Sequence, residues 1–329
     1  MSENITEPQL AVVILAAGQG TRMKSALPKV LHRIGGRPLL GHVLHTARAL
    51  HPQSVLVVVR HERDLVAEAV LGVADDVIVV DQDEVPGTGR AVEVALAQVP
   101  DFAGDILVLS GDVPLLDDDT LARLIRTHRE SGAAATVLSA VVDDATGYGR
   151  VIRDDAGDVR RIVEQKDATA DEASVTEINA GVYVFQSAPL RAHISLVGTA
   201  NAQGERYLTD VVALLRDSRL TVGVSRASDA AAALGVNDRV QLSEAARTLN
   251  ARTVRRWQLE GAMILDPATT WIDVDATLAP DVTVLPNTHI LRSTAIGAGT
   301  TVGPDTSLVD CEVGEIGRAS CRERVSECV

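Results

Sequence analysis

Near the start of this chain a glycine-containing turn is followed closely by two cations. The stretch is Leu15-Ala16-Ala17-Gly18-Gln19-Gly20-Thr21-Arg22-Met23, then Leu27-Pro28-Lys29. It leaves an apolar run and lacks bulky side chains where the chain reverses. Small residues let backbone N–H groups come close to phosphate oxygens. Arg22 can bridge such oxygens with its planar fork, and Lys29 adds a compact charge. Two better-known phosphate loops do not fit. One needs a Gly-Lys-Ser/Thr ending that is absent here, and the dinucleotide fingerprint needs a third glycine where Met23 stands.

Further along, Asp112 follows the apolar run 105–109 and precedes Val113-Pro114. A carboxylate there suits a hard divalent cation, which takes oxygen ligands and keeps substrate phosphates in its shell. The same position also suits a turn cap. Asn237, in Gly235-Val236-Asn237, reads on its own as a helix entry. Glu164 ends another apolar run and is hard to read as a solvated surface charge. No Ser/His/Asp arrangement stands out, so the chemistry indicated needs no covalent nucleophile.

The elements that must position these residues are strands alternating with helices. Apolar runs occur at 11–15, 55–59, 77–80 and 105–109, with helix-like segments such as 38–50 and 63–71 between them. Further strands are expected at 136–142, 159–163 and 180–185. This pattern predicts an α/β domain with a mostly parallel, Rossmann-like sheet covered on both faces. Ligands sit at the carboxyl ends of strands in such sheets, here the loops after 15, 80 and 109. Residues 238–260 read as one long helix. Beyond it Ile272, Leu278, Val284, Ile290, Ile296, Val302 and Leu308 fall six apart, separated by turn-forming residues. A six-residue period is neither helical nor that of an alternating strand; it predicts a β-helix of hexapeptide repeats. The period stops after Gly314, and the string Glu315–Val325 resembles the in-frame translation of a sequencing adapter.

Composition narrows the function. Hydrophobic residues make up 46% and aromatics only 2%, so Ala, Val, Leu and Ile must pack the core. The formal charge of −14 and the lack of any basic block argue against a nucleic-acid groove or an anionic membrane surface. No apolar run approaches the ~18 residues of a membrane helix, and the N-terminus shows no signal-peptide pattern. The three cysteines, Cys311, Cys321 and Cys328, form no disulfide or metal framework. A cytoplasmic protein is expected.

Taken in order, the motifs resemble those of the sugar-phosphate nucleotidyltransferase family, and most closely its bifunctional UDP-N-acetylglucosamine pyrophosphorylases. They are LAAGQGTRM with LPKVL, Gln82 with Gly87-Thr88-Gly89, Ser110-Gly111-Asp112, Gly147-Tyr148-Gly149-Arg150, Ile162-Val163-Glu164, Glu177-Ile178-Asn179-Ala180-Gly181, Tyr207-Leu208-Thr209-Asp210 and Gly235-Val236-Asn237. They span 11–240, and the hexapeptide period follows where that family has one. The resemblance implies a division into a nucleotidyltransferase domain (1–237), a linker helix (238–261) and a truncated left-handed β-helix (262–314), and the adapter-like string sets off 315–329 as an artefactual tail. It implies UTP and N-acetylglucosamine 1-phosphate as substrates, with Mg²⁺ on Asp112 and Asn237. Arg22 and Lys29 would be catalytic. Leu15, Ala16, Ala17, Gly18, Gly20, Thr21, Lys29, Ser110, Gly111, Asp112 and Asn237 would line the substrates. Gln82, Gly87 and Thr88 would read uracil, and Gly149, Glu164 and Asn179 would hold the sugar. Arg90 departs from the His that commonly follows Gly-Thr-Gly in the family. The resemblance also implies a homotrimer and an acetyltransferase activity for the full-length parent, with the acetyltransferase residues lying beyond 314 and only about two β-helix coils left. Other sugar 1-phosphates or nucleotides, and a non-catalytic regulator with the same folds, are the competing expectations.

Overall fold

Runs of Val, Ile, Leu and Ala become central strands here because both faces of each strand are covered, so every side chain can be apolar. The alternation is visible residue by residue. Val12, Ile14, Val57, Leu107 and Leu109 pack into one core, while Ala11, Val13, Leu56, Ile106 and Val108 pack into a second across the sheet. In this computed structural model the described residues are 8–315, with a short strand at 319–320. Most of the adapter-like tail therefore lies outside the described residues.

The strands of the main sheet are β1 (Leu10–Leu15), β2 (Ser54–Val59), β3 (Ile78–Asp81), β4 (Asp105–Ser110), β5 (Ala135–Val141), β6 (Arg150–Arg153), β7 (Val159–Val163), β8 (Glu177–Gln186) and β9 (Val222–Arg226). Their order is β9-β5-β8-β4-β1-β2-β3, with β6 and β7 branching from β8. The four strands β4-β1-β2-β3 run parallel, whereas β8 is antiparallel to both β4 and β5. The sheet is mostly parallel and Rossmann-like, as expected. The strands β6 and β9 were not anticipated. Both are short; β6 begins and ends with Arg, and β9 contains Gly223, so neither shows a continuous apolar run.

The chain forms two compact units. Among the described residues, one takes 8–31 and again Leu39–Asn237; the other takes His32–Pro38 and 238–315. In the second unit the helix Arg239–Leu259 is capped by Asp238, whose carboxylate accepts from the amides of Val240 and Gln241, both at 2.9 Å. Strands then stack in parallel, starting a left-handed β-helix, with Ile272 over Ile290 over Leu308 on one side and Leu278 over Ile296 on another. Ile272, Leu278, Val284, Ile290, Ile296 and Val302 all point inward and are buried. The coils begin earlier than the period indicates, at Met263–Ile264, which pairs with Thr283–Val284. Ile264 and Ile272 are eight apart, not six, so the period alone hides this first strand; three coils stand among the described residues rather than about two. The hairpin Arg33–Ile34/Arg37–Pro38 belongs to the same unit, tied by Val274 N–H to the Gly35 carbonyl (3.0 Å) and by Arg37 to Asp275 (2.5 Å).

Candidate active site

The carboxyl ends of β1 and β4 lie side by side, with Leu15 in register with Ser110. The chain beyond β1 is held at its start by the Ala16 amide donating to Val58 (2.9 Å), and beyond β4 by the Gly111 amide donating to Leu15 (2.9 Å). Gly20 takes a left-handed backbone (φ 63°), and a Cβ there would press into the Cβ of Lys29. The glycine thus lets Lys29 pack against the turn. Gly18, by contrast, has open space on its Cβ side. The turn Thr21–Met23 is pinned by buried Met23, which leaves Arg22 exposed.

Lys29 reaches across the cleft floor to the Asp112 carboxylate and to Asn237 Oδ1 (3.2 Å). The other Asp112 oxygen accepts from Ser110 Oγ at 2.6 Å, and the Asp112 carbonyl accepts from the Val236 amide at 2.8 Å. Three residues far apart in sequence therefore share one point. Burial works against ionisation of Asp112, but the Lys29 ammonium and the Ser110 hydroxyl outweigh it and hold the carboxyl below its ordinary range. Among the described residues no three His, Cys, Asp or Glu side chains gather as a metal cage.

Two recesses open from this point. The first, about 360 Å³, is lined by Leu15, Ala16, Ala17, Gly18, Lys29, Gln82, Gly87, Thr88, Ser110 and Asp112, among others. Gln82 is latched by its own loop: its amide donates to the Val85 carbonyl (2.9 Å) and the Gly87 carbonyl (3.1 Å), leaving Oε1 to accept. Gly87 (φ 117°) allows the backbone of Arg206 to pass so close that a Cβ would collide with it. Thr88 Oγ1 accepts from the Leu208 amide at 2.9 Å. The second recess, about 200 Å³, shares Leu15, Thr88, Ser110 and Asp112 and adds Arg22, Gly149, Glu164, Asn179 and Asn237. Burial pushes the Glu164 carboxyl above its ordinary range, with Asp210, Asp167 and Glu205 adding to it against one hydrogen bond from Thr209 Oγ1 (3.3 Å). Asn179 Nδ2 donates to the Tyr183 hydroxyl (2.6 Å), and Asn179 Oδ1 accepts from the Gly181 amide (3.1 Å).

Most of the residues singled out from sequence thus meet at one cleft, but not in one role. Arg22 and Lys29 line different recesses. Gly20, Thr21 and Gly111 line neither; Gly20 and Gly111 shape the loops behind the lining. Arg60 and His61 line the first recess and were overlooked. They follow β2, the one central strand whose carboxyl end was not searched, and the strand-end rule itself would have found them. Tyr148, Tyr183 and Thr209 line the second recess and were also given no role.

Residues 12–147 match the model of the MobA-like NTP transferase domain. The chain is 58% identical over 278 residues to the bifunctional protein GlmU of Leifsonia xyli subsp. xyli, an alignment covering 84% of this chain and 57% of that one. It is 56% identical over 309 residues to the GlmU of Clavibacter sepedonicus, covering 94% and 63% respectively. The chain therefore spans less than two thirds of the length of these relatives. A solved structure from Bacillus anthracis, provisionally named a glucose-1-phosphate thymidylyltransferase, superposes with a TM-score of 0.58 over 73% of this chain and 94% of its own, at 20% identity. That likeness is one of fold. No helix among the described residues is long and apolar enough to cross a membrane.

Proposed function

We propose that this chain, with its NTP transferase domain and its similarity to GlmU proteins, is a uridylyltransferase that joins UTP to N-acetylglucosamine 1-phosphate and releases pyrophosphate. The product would feed cell-wall precursor synthesis in the cytoplasm. The observation that carries the reading is the convergence of Lys29, Asp112 and Asn237 at the junction of two recesses, one beside Gln82 and one beside Glu164.

Asp112 and Asn237 turn oxygens toward one shared cation, the Lys29 ammonium, which stands where a metal ion would compete. An ionised carboxylate with an amide oxygen, and no sulfur or imidazole, fits Mg²⁺ better than softer ions. A bound Mg²⁺ would neutralise charge on the phosphate oxygens. The protein's own part is positional and electrostatic. Small residues 16–18 admit the triphosphate to backbone N–H groups, and Lys29 supplies a charge on the nucleotide side. Arg22, which has no ion-pair partner among the described residues, faces the recess where the sugar phosphate would bring its charge. An acceptor at Gln82 Oε1 matches the N3–H of uracil and would meet only a lone pair on cytosine. The attacking phosphate oxygen is already ionised, so it forms its bond to the α-phosphorus as the bond to pyrophosphate breaks, and no general base is required.

The test is pyrophosphate release by the purified chain with Mg²⁺, UTP and N-acetylglucosamine 1-phosphate, beside glucose 1-phosphate and beside ATP, CTP and dTTP. Preference for the first pair is expected. Faster turnover of another pair, or none at all, refutes the reading.

A further inference from the structure

The residue that departs from the resembled family, Arg90, lines neither recess. Each of its three guanidinium nitrogens nonetheless meets a carboxylate. It meets the Asp83 carboxylate through Nε (3.1 and 3.2 Å) and Nη2 (2.5 Å), and Glu93 through Nη1 (2.6 Å). Glu93 in turn accepts from Arg206 at 2.5 Å, and Arg206 donates to the carbonyls of Val197 (3.0 Å) and Ile194 (2.7 Å). Asp83 also accepts from the Val85 amide at 3.1 Å. These contacts bracket the turn 83–87, whose Val85 and Gly87 carbonyls hold the amide of Gln82. The far side of the turn is closed by main-chain bonds, from the Arg206 amide to Pro86 (3.0 Å) and from the Gly89 amide to Arg206 (2.8 Å).

We infer that the chain Asp83–Arg90–Glu93–Arg206 is a clasp that sets the rotamer of Gln82, making Arg90 a positioning residue for recognition of the pyrimidine base. The inference rests on the proposed uridylyltransferase reading. The physical reason is that Gln82 can discriminate only if its acceptor faces the ligand. An amide free to turn would offer a donor as readily as an acceptor, and cytosine would then be as welcome as uracil. Two carbonyls in one loop fix the amide only if that loop is itself fixed. The trailing end of the turn is tied to the following helix, where the Gly87 carbonyl accepts from the Ala91 amide (3.2 Å), and the Glu84 carbonyl accepts from Arg60 (3.0 Å); the bidentate Arg90–Asp83 pair holds the leading edge and Glu93–Arg206 holds it to the 194–208 segment. The pair is partly exposed, so its contribution to global stability is small and its effect local.

The experiment compares wild type with Arg90→Ala and Arg90→Lys. It measures KM and kcat for UTP and CTP, KM for the sugar phosphate, calorimetric binding of both nucleotides, and melting temperature. For Arg90→Ala the expectation is a KM for UTP raised about tenfold and a UTP-over-CTP preference lowered by a similar factor, the scale of one misplaced specificity hydrogen bond. The kcat with UTP and the KM for the sugar phosphate should stay within about twofold, with partial rescue of selectivity in Arg90→Lys. Unchanged UTP-over-CTP preference in Arg90→Ala, in a wild type that does turn over UTP, overturns the clasp alone. A uniform loss across both substrates with a lowered melting temperature also overturns it, because that is the mark of a merely structural residue. A wild-type chain that neither binds nor turns over UTP overturns both the clasp and the function beneath it.

Discussion

The two recesses of the cleft share their floor but treat polar side chains in opposite ways. In the one beside Gln82, the protein satisfies its own groups: the Gln82 donors go to loop carbonyls and Thr88 takes an amide proton from Leu208. What remains for a ligand is backbone, one acceptor and the nearby cations. In the one beside Glu164, a half-buried carboxyl has a single long hydrogen bond and three acidic neighbours. That carboxyl is short of donors, and a polyhydroxy ring would supply them. A recess already satisfied selects by geometry, whereas one left short of partners selects by what the ligand brings. A buried polar group without partners costs about 1–3 kcal/mol, and a ligand that supplies them recovers that cost.

Breaking the shared floor should have the largest effect. Asp112→Ala is expected to lower turnover about a thousandfold or more, because charge stabilisation at the reacting phosphates is lost from both sides at once. The fold should survive, since Lys29 can turn toward Asn237 and solvent. Single-turnover pyrophosphate release within tenfold of wild type would remove Asp112 from the chemistry.

The next pair of variants separates the recesses. Glu164→Ala should raise KM for the sugar phosphate about a hundredfold and leave that for UTP nearly unchanged, as expected where a polar site loses a hydrogen-bonded partner. Gln82→Ala should instead weaken UTP, by about tenfold, and spare the sugar phosphate. If each variant disturbs both substrates equally, the cleft is not divided as described.

The smallest effect sharpens the contrast through pH. The folded-state pKa of Glu164 lies above its ordinary 4.5, so the fold holds the proton more tightly than the unfolded chain does. The associated stability is fully present below that value and is lost as pH rises through the raised one. Glu164→Gln should therefore melt about 2–4 °C above wild type at pH 8, with the gap closing toward pH 4.5. A gap independent of pH would show that Glu164 is not destabilised by its burial. Asp112 should behave oppositely, since its carboxyl is held low by Lys29 and Ser110.

Much of this was legible in the order of residues. The runs at β1, β2 and β4 announced central strands because a strand covered on both faces can be apolar at every position. Glu164 drew attention because a carboxylate directly after such a run has nowhere solvated to go. Arg60 and His61 were missed although they follow the same kind of run, because no glycine marks that turn. The first β-helix strand falls inside the expected 262–314 span but outside the six-residue period, because Ile264 lies eight residues before Ile272.

The sequence by itself determined the elements and the residue types at their ends, because burial periodicity and turn chemistry act over a few residues at a time. It could not determine that Lys29, Asp112 and Asn237 meet, that Gln82 spends its donors on its own loop, or that Arg90 belongs to a clasp and not to the cleft. Those contacts join positions up to 208 residues apart. A long-range contact depends on how the whole sheet stacks its strands in space, and no local pattern encodes that stacking; only the tertiary structure decides it.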